Sequence, residues 1–119
     1  MSEEKLNVGV VGVGYLGSIH ARIYERMQNV RLVGVMDSDV ETGRRVAKEC
    51  GCSVIRSLEE MMDNVEAVSV VVPTSKHREI TEPFLEKRIP VLLEKPVAHT
   101  LSDAQAIVEL ASRKGALLQ

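Results

Sequence analysis

Residues 8–17 read Val-Gly-Val-Val-Gly-Val-Gly-Tyr-Leu-Gly, an apolar run that leads into three closely spaced glycines. The run predicts a short first strand over 8–11, and Gly12, Gly14 and Gly17 then form the pattern G-x-G-x-x-G. In this setting the first glycine permits a tight turn, the second lets a pyrophosphate approach the backbone, and the third lets a helix pack on the strand. The stretch predicts a dinucleotide-binding loop; the alternative is a glycine-rich turn that binds nothing.

A helix is predicted to open inside this pattern. Tyr15 and Leu16 lie between the second and third glycines, in the first turn of a helix predicted for 15–28 from apolar residues spaced three and four apart. The free N–H groups and the dipole of a helix start favour an anion there. We therefore expect Tyr15 and Leu16 to contact the cofactor together with the three glycines.

Strand and helix patterns alternate along the rest of the chain. Further strands are predicted over 31–36, 52–55, 67–72 and 90–93, with helices up to 49, from 58, over 77–87 and up to 114. Asp39, Ser57 and Ser102 are expected to cap helices, and residues 116–118 to begin one more strand. The alternation predicts an α/β fold of three layers with a doubly wound, mostly parallel sheet of the Rossmann type.

Asp37 lies at the end of the predicted second strand. An acidic residue at this place accepts hydrogen bonds from the hydroxyls of the adenosine ribose. It also repels a 2′-phosphate, because two unit charges about 4 Å apart near a surface interact by up to roughly 4 kcal/mol before salt screening. We therefore expect NAD as the cofactor in preference to NADP; the alternative is that Asp37 is only a cap or turn residue.

Polar residues also follow two later strands. Pro73, Thr74 and His77 come after the β-branched run 67–72, and Glu-Lys-Pro at 94–96 comes after the next predicted strand. In open α/β sheets ligands bind outside the carboxyl ends of the strands. Both clusters can therefore face the same crevice as the glycine loop.

Taken in order, these segments resemble the Gfo/Idh/MocA oxidoreductase family. The resemblance is carried by Val8 to Gly17 with His20, then Asp37, then Pro73 and Thr74 with His77, and finally Glu94, Lys95 and Pro96. The likeness covers essentially the whole chain. Glu-Lys-Pro is its most specific element, because the glycine pattern alone occurs in many other Rossmann enzymes.

The resemblance implies a cofactor domain followed by an α+β domain that carries the sugar-binding surface and an acid/base histidine. Residues 1–119 are then expected to be the Rossmann domain, truncated before the substrate domain and inactive alone. The parent protein is expected to be an NAD(P)-dependent dehydrogenase that acts on a hydroxyl of a sugar, cyclitol or nucleotide sugar, and to form homo-oligomers. Among the subfamilies we favour a nucleotide-sugar 3-dehydrogenase.

The resemblance also implies roles at the crevice. The cluster at 73–77 would lie near the nicotinamide half of the cofactor. Lys95 would be the catalytic residue, touching the nicotinamide ribose and a substrate hydroxyl. Glu94 and Pro96 would set the turn that aims it, and both are expected to contact the cofactor. Oxidation of a carbinol requires hydride transfer and loss of a proton, and a cation beside the hydroxyl stabilises the charge that develops on oxygen. For an arbitrary lysine, a surface position without function is the alternative.

The histidines and cysteines have weaker predictions. His20 is expected to pack or to anchor a loop; His77 is a cofactor or substrate contact, or else a helix-start residue; and His99 is a surface residue. Cys50 and Cys52 are expected to be simple thiols near a strand start. No metal-ligand cluster and no Ser/His/Asp arrangement is evident in the sequence, so we expect neither a metal cofactor nor hydrolytic chemistry.

Composition limits the other classes. The chain has 119 residues, 45% hydrophobic and 27% charged, with a formal net charge of −2, which predicts one globular domain without a nucleic-acid or membrane surface. The sequence has no visible signal peptide and no apolar stretch near the roughly 18 residues of a membrane span, so we expect a cytoplasmic protein. The resemblance implies a sugar-like small molecule as its substrate. Two alternatives are a non-catalytic dinucleotide-binding or redox-sensing module, and a methyltransferase, in which Glu-Lys-Pro would have no purpose.

Overall fold

The structure is a computed structural model, which describes residues 4–119. Strands and helices alternate as β1 (Leu6–Val11), α1 (Tyr15–Arg26), β2 (Val30–Met36), α2 (Val40–Cys50), β3 (Ser53–Val54), α3 (Leu58–Asn64), β4 (Ala67–Val70), α4 (His77–Glu86), β5 (Val91–Leu93) and α5 (Leu101–Lys114). A 3₁₀ turn, Thr74–Lys76, precedes α4. The strands form one parallel sheet in the order β3-β2-β1-β4-β5, which confirms the predicted doubly wound α/β fold.

Helices cover both faces of the sheet, each over its own hydrophobic core. Helices α1 and α2 pack on one face, around buried residues that include Val10 and Ala21. Helices α3, α4 and α5 pack on the other face, around a larger core that includes Phe84 and Ile107. Because strands covered on both faces have no solvent side, their sequences are continuous apolar runs rather than alternating ones.

The helix caps agree with the sequence at two places and differ at a third. Asp39 caps α2 and Ser57 caps α3, each with a side-chain oxygen that accepts from a backbone N–H of the first turn. The prediction of Ser102 as the cap of the last helix is wrong: the hydroxyl of Thr100 accepts from the N–H of Asp103 at 3.0 Å. The helix begins at the earlier of two hydroxyl residues, which leaves Ser102 in its first turn.

Other element ends also move by a few residues. Strand β4 ends at Val70, two residues before the end of the β-branched run, although the N–H of Val71 still donates to the carbonyl oxygen of Val11 at 2.8 Å. Helix α4 continues through Pro83. The predicted additional strand near the end of the chain is a single parallel bridge between Leu118 and Val91.

The order of the strands creates a crevice between β1 and β4. From β1 the chain continues to β2 and β3 on one side, and it then returns to β4 and β5 on the other. Ligands of doubly wound sheets bind at this switch point, outside the carboxyl ends of the strands. Across residues 4–119, the helices are all too short or too polar to cross a membrane.

Candidate functional site

The glycine loop after β1 is packed too closely for side chains at two of its three glycines. Gly12 has φ +90°, a left-handed conformation, and a Cβ on it would overlap the carbonyl oxygen of Val71. A Cβ on Gly17 would overlap the carbonyl oxygen of Gly12. The first glycine therefore allows the loop to pass next to the segment after β4, and the third allows α1 to rest on the loop.

Gly14 has a different environment, because a Cβ on it would meet no atom within 4 Å. Gly14 is the N-cap of α1, no side chain caps this helix, and the first helical bond runs from the N–H of Ser18 to the carbonyl oxygen of Gly14 at 2.9 Å. The first N–H groups of a helix lack partners within it. The open space therefore lies at an uncapped helix start, which suits a pyrophosphate.

Asp37, at the start of the β2–α2 connection, holds this loop from the side. Its Oδ2 accepts from the N–H of Val13 at 2.8 Å, and its Oδ1 accepts from the N–H of Asp39 at 2.8 Å. A hollow beside it is lined by Asp37 together with Arg44 and Arg56. Each carboxylate oxygen can accept more than one hydrogen bond, so the carboxylate retains capacity for a ligand.

Two clefts meet at the glycine loop. The first, of about 450 Å³, is lined by Gly12, Gly14, Asp37, Val71, Val72 and Pro73, and by six further residues, Val11, Met36, Ser38, Lys76, Glu79 and Ile80. The second, of about 260 Å³, is lined by Gly14, Tyr15, Leu16, Gly17, Val71, Val72, Pro73, Thr74, His77, Glu94 and Lys95. The two clefts share Gly14, Val71, Val72 and Pro73, so together they form one edge that extends from Asp37 after β2 to Lys95 after β5.

The clefts bring together almost every residue that the sequence singled out. Lys95 is exposed at the second cleft, beside the loop that carries Thr74. Pro96 is exposed next to Lys95, through a cis peptide bond, but it lines neither cleft. The expected contact of Pro96 with a cofactor therefore stays a prediction, and its visible place is in the turn after β5.

His77 lies at the cleft wall with its ring turned into the protein. Its side chain is buried, with 1% of the residue exposed. Nδ1 lies 3.0 Å from the carbonyl oxygen of Val97 and Nε2 lies 3.0 Å from that of Val72. A neutral imidazole donates from one nitrogen only, so it serves one of these oxygens, whereas an imidazolium serves both. The ring joins the loop after β4 to the segment after β5, and each ring nitrogen lies within hydrogen-bond distance of a backbone carbonyl oxygen.

A second histidine joins α1 to the same segment. His20 Nε2 lies 3.2 Å from Glu94 Oε2, and His20 Nδ1 lies 3.3 Å from Ser69 Oγ. The hydroxyl groups of Ser69 and Tyr24 are 2.6 Å apart. Sequence reasoning suggested a loop-anchoring role for His20 but missed Ser69, whose signal was a polar residue inside an apolar strand.

The two cysteines are free thiols. Cys50 is buried and Cys52 half-buried. Burial raises the pKa of Cys50 above its ordinary value, and burial followed by the nearby Cys50 raises the pKa of Cys52 to about 11. Both thiols therefore keep their protons near neutral pH, where only the thiolate is a good nucleophile or metal ligand. No group of three or more potential ligand side chains is placed to hold a metal in the part of the chain from residue 4 onward.

Comparison with known proteins agrees with this site. Residues 6–119 match the model of the Gfo/Idh/MocA family, described as an oxidoreductase family with an NAD-binding Rossmann fold. The chain therefore belongs to the Gfo/Idh/MocA oxidoreductases and forms their NAD-binding domain, as the sequence motifs predicted.

Two of the similar proteins are named as dehydrogenases. UDP-N-acetylglucosamine 3-dehydrogenase of Acidithiobacillus ferrooxidans is 34% identical over 113 residues, covering 95% of this chain and 36% of that protein. Inositol 2-dehydrogenase of Rubrobacter xylanophilus is 36% identical, covering 89% and 31%. The solved structure of GenD2 from gentamicin A biosynthesis, in complex with NAD, is 32% identical with a TM-score of 0.90, covering 97% and 34%. The chain thus spans about a third of the length of these relatives.

Proposed function

We propose that this chain is the cofactor-binding part of an oxidoreductase that transfers hydride between NAD and a hydroxyl-bearing carbon of a sugar, cyclitol or nucleotide sugar. The observation that carries the proposal is the position of Gly14. It caps α1 without a side chain, and the space in front of it opens into both clefts. Asp37 lines one cleft and Lys95 the other, so one extended ligand can reach both residues.

The chain supplies a binding group for each part of such a cofactor. The start of α1 at Gly14 accepts the pyrophosphate, and Asp37 accepts hydrogen bonds from the adenosine ribose. Pro73, Thr74 and Lys95 border the cleft that would receive the nicotinamide half. A negative Asp37 also disfavours a 2′-phosphate, which is why we propose NAD rather than NADP.

The bound nicotinamide supplies hydride acceptance or donation. Lys95 is proposed to place its ammonium beside the reacting hydroxyl, where a positive charge stabilises the negative charge that develops on oxygen. The ammonium also orients the hydroxyl toward the cofactor side of the cleft. Glu94 and His77 line the same cleft, but their visible partners lie in the protein. We therefore assign them to the support of Lys95 rather than to ligand contact.

The substrate class follows from the relatives and not from contacts in this chain. We favour a nucleotide sugar, because the A. ferrooxidans relative, similar along 95% of this chain, is named for one. The substrate surface and the acid/base group are assigned to a further domain, since the chain spans about a third of such proteins. For the complete protein we propose a cytoplasmic homo-oligomer.

The test is calorimetric titration of this chain with NADH and with NADPH. Binding of NADH with weaker binding of NADPH is the expected result. A preference for NADPH would overturn the role of Asp37 and keep the enzyme class. Absence of heat with both, from a chain whose circular dichroism reports a folded α/β domain, would overturn the proposal that this chain carries a sufficient dinucleotide site.

A further inference from the structure

We infer that His20 is a positioning residue for Lys95: it holds the carboxylate of Glu94 and thereby fixes the turn from which Lys95 reaches the cleft. The inference rests on the proposed function, because a positioning role for His20 requires that Lys95 contacts the cofactor and the substrate. His20 belongs to α1, whereas the turn follows β5 at the other side of the crevice. The contact therefore connects the helix that receives the pyrophosphate to the segment that carries the lysine.

His20 is itself held by the hydroxyl group of Ser69, which in turn contacts the hydroxyl group of Tyr24. The chain of contacts runs from Tyr24 to Ser69 at 2.6 Å, from Ser69 to His20 at 3.3 Å, and from His20 to Glu94 at 3.2 Å. Tyr24 and His20 are one helical turn apart on α1, and Ser69 faces them from β4. The imidazole is thus fixed at both nitrogens, which leaves it one orientation toward Glu94.

The hydrogen atoms of this chain can be assigned without conflict. With a neutral ring, Tyr24 donates to Ser69, Ser69 donates to Nδ1 of His20, and the Nε2–H of His20 donates to Glu94. Each donor has one acceptor, and the chain ends on a carboxylate, the strongest acceptor present. An imidazolium would also satisfy Ser69 and Glu94 by donating from both nitrogens. In either form the bond from His20 to Glu94 is kept.

The burial of Ser69 is a second reason to regard the arrangement as specific. Ser69 is 0% exposed in a strand whose other residues are Ala67, Val68 and Val70. A buried hydroxyl group without a partner is costly in proteins, so its two partners offset a penalty that an apolar residue would avoid altogether. Packing alone does not require a hydroxyl here, but the positioning of His20 does.

The turn is held at its other end by His77. Glu94 precedes Lys95, and the carbonyl oxygen of Val97, two residues after Lys95, faces His77 at 3.0 Å. The two histidines come from helices on opposite faces of the sheet. With residues 94 and 97 both held, the backbone of Lys95 has little freedom, while its side chain stays exposed at the cleft.

The test compares two replacements of His20. Gln places a side-chain N–H close to the position of Nε2 and can still reach Glu94, whereas Asn places its amide near Nδ1 and reaches only Ser69. The control is Arg22→Gln on the same helix, where Arg22 pairs with Glu49 at 3.4 Å, outside the chain of contacts. All three variants are first checked for a cooperative thermal transition, so that only folded chains are compared.

The first measurement is the ¹⁵N backbone order parameter of the Lys95 and Val97 amides in the free chain. We expect values near the rigid level of about 0.85 in wild type, in Arg22→Gln and in His20→Gln, and values near 0.6 or below in His20→Asn. The amide of Ile107 in α5 serves as the internal reference. Unchanged order parameters in His20→Asn would overturn the inference, whether or not the chain binds a nucleotide.

The second measurement separates positioning from general loosening of the site. NADH is compared by calorimetry with ADP, which lacks both the nicotinamide ring and its ribose. His20→Asn should weaken NADH about tenfold and change ADP less than twofold, and His20→Gln should recover most of the NADH affinity. Equal losses for both ligands, or no recovery with Gln, would overturn the inference. Failure of wild type to bind either ligand would instead overturn the proposed function and leave the order parameters to decide the role of His20.

Discussion

The carboxylate of Asp37 accepts a hydrogen bond from the backbone N–H of Val13 at 2.8 Å. The residue that the sequence assigns to the adenosine ribose therefore also holds the glycine loop, and its other oxygen holds the N–H of Asp39. Substitution of Asp37 has two separable effects: loss of a negative charge, which changes the choice of cofactor, and loss of two acceptors, which changes the loop.

Asp37→Ala and Asp37→Asn should both raise the affinity for NADPH relative to NADH. The lost repulsion is a few kcal/mol at most before screening, so we expect a shift in the ratio of about tenfold or more at low salt. Arg44 and Arg56, which share the hollow beside Asp37, remain available to the extra phosphate. Titration calorimetry measures both affinities, and an unchanged ratio would show that Asp37 does not contact the ribose.

The same two variants should differ in stability. Asn keeps one side-chain oxygen that can accept a hydrogen bond from the N–H of Val13. Ala has no acceptor, so the N–H groups of Val13 and Asp39 both lose their side-chain partner. At roughly 1 kcal/mol for each bond, Asp37→Ala should unfold at a lower temperature than Asp37→Asn. Calorimetric melting without nucleotide measures this difference, and equal melting temperatures would mean that water replaces the carboxylate at no cost.

Gly14→Ala and Gly17→Ala form a matched pair with opposite expectations. A methyl group on Gly14 meets open space, so the stability of the fold should be unaffected. The affinity for NADH should fall about ten- to a hundredfold, which corresponds to the loss of one charge-assisted hydrogen bond. A methyl group on Gly17 overlaps the carbonyl oxygen of Gly12 and should cost about 1–3 kcal/mol or more of stability. Thermal melting together with NADH titration distinguishes the two, and the roles are wrong if Gly14→Ala is the less stable variant.

The sequence was most informative where a function depends on neighbouring residues. The glycine pattern and Asp37 are properties of one turn and one strand end, so local spacing predicted them. The pairs His20–Glu94 and His77–Val97 join residues 74 and 20 positions apart. No periodicity links such residues, because their proximity depends on the strand order of the sheet. Sequence reasoning could therefore place both histidines near the crevice without finding what they hold.

Ser69→Ala should destabilise the chain although it removes only one oxygen. It leaves His20 without its Nδ1 partner in a position that water reaches poorly, at an expected cost of about 1–3 kcal/mol. Tyr24→Phe is the control, because the half-exposed Tyr24 can be replaced by water and Ser69 keeps His20 as a partner. Denaturant unfolding measures both free energies, and a cost for Tyr24→Phe equal to that for Ser69→Ala would contradict this order.

Cys52 should make the stability of the chain fall with rising pH. Burial raises the pKa of this thiol to about 11 in the folded chain, while an unfolded thiol titrates near 8.5. Unfolding therefore releases a proton between these values, so the contribution is fully present below about pH 8.5 and is lost as pH rises through about 11. Thermal melting of wild type and Cys52→Ala at pH 8 and pH 10.5 isolates the effect. The difference in melting temperature in favour of wild type should be smaller at pH 10.5. An equal difference at both pH values would contradict the raised pKa of the Cys52 thiol.

Lys95→Ala tests the catalytic assignment in the complete oxidoreductase that we propose. Removal of one preorganised donor from an oxygen that gains negative charge lowers turnover by about a hundred- to a thousandfold in other enzymes, and we expect a loss of that size here. The affinity for NADH should change much less, because the pyrophosphate and the adenosine ribose are held by α1 and Asp37. Lys87→Ala, an exposed lysine at the end of α4, is the matched control and should leave both quantities unchanged. The comparison of kcat with the dissociation constant for NADH decides the role, since similar losses in both would make Lys95 a cofactor-binding residue rather than a catalytic one.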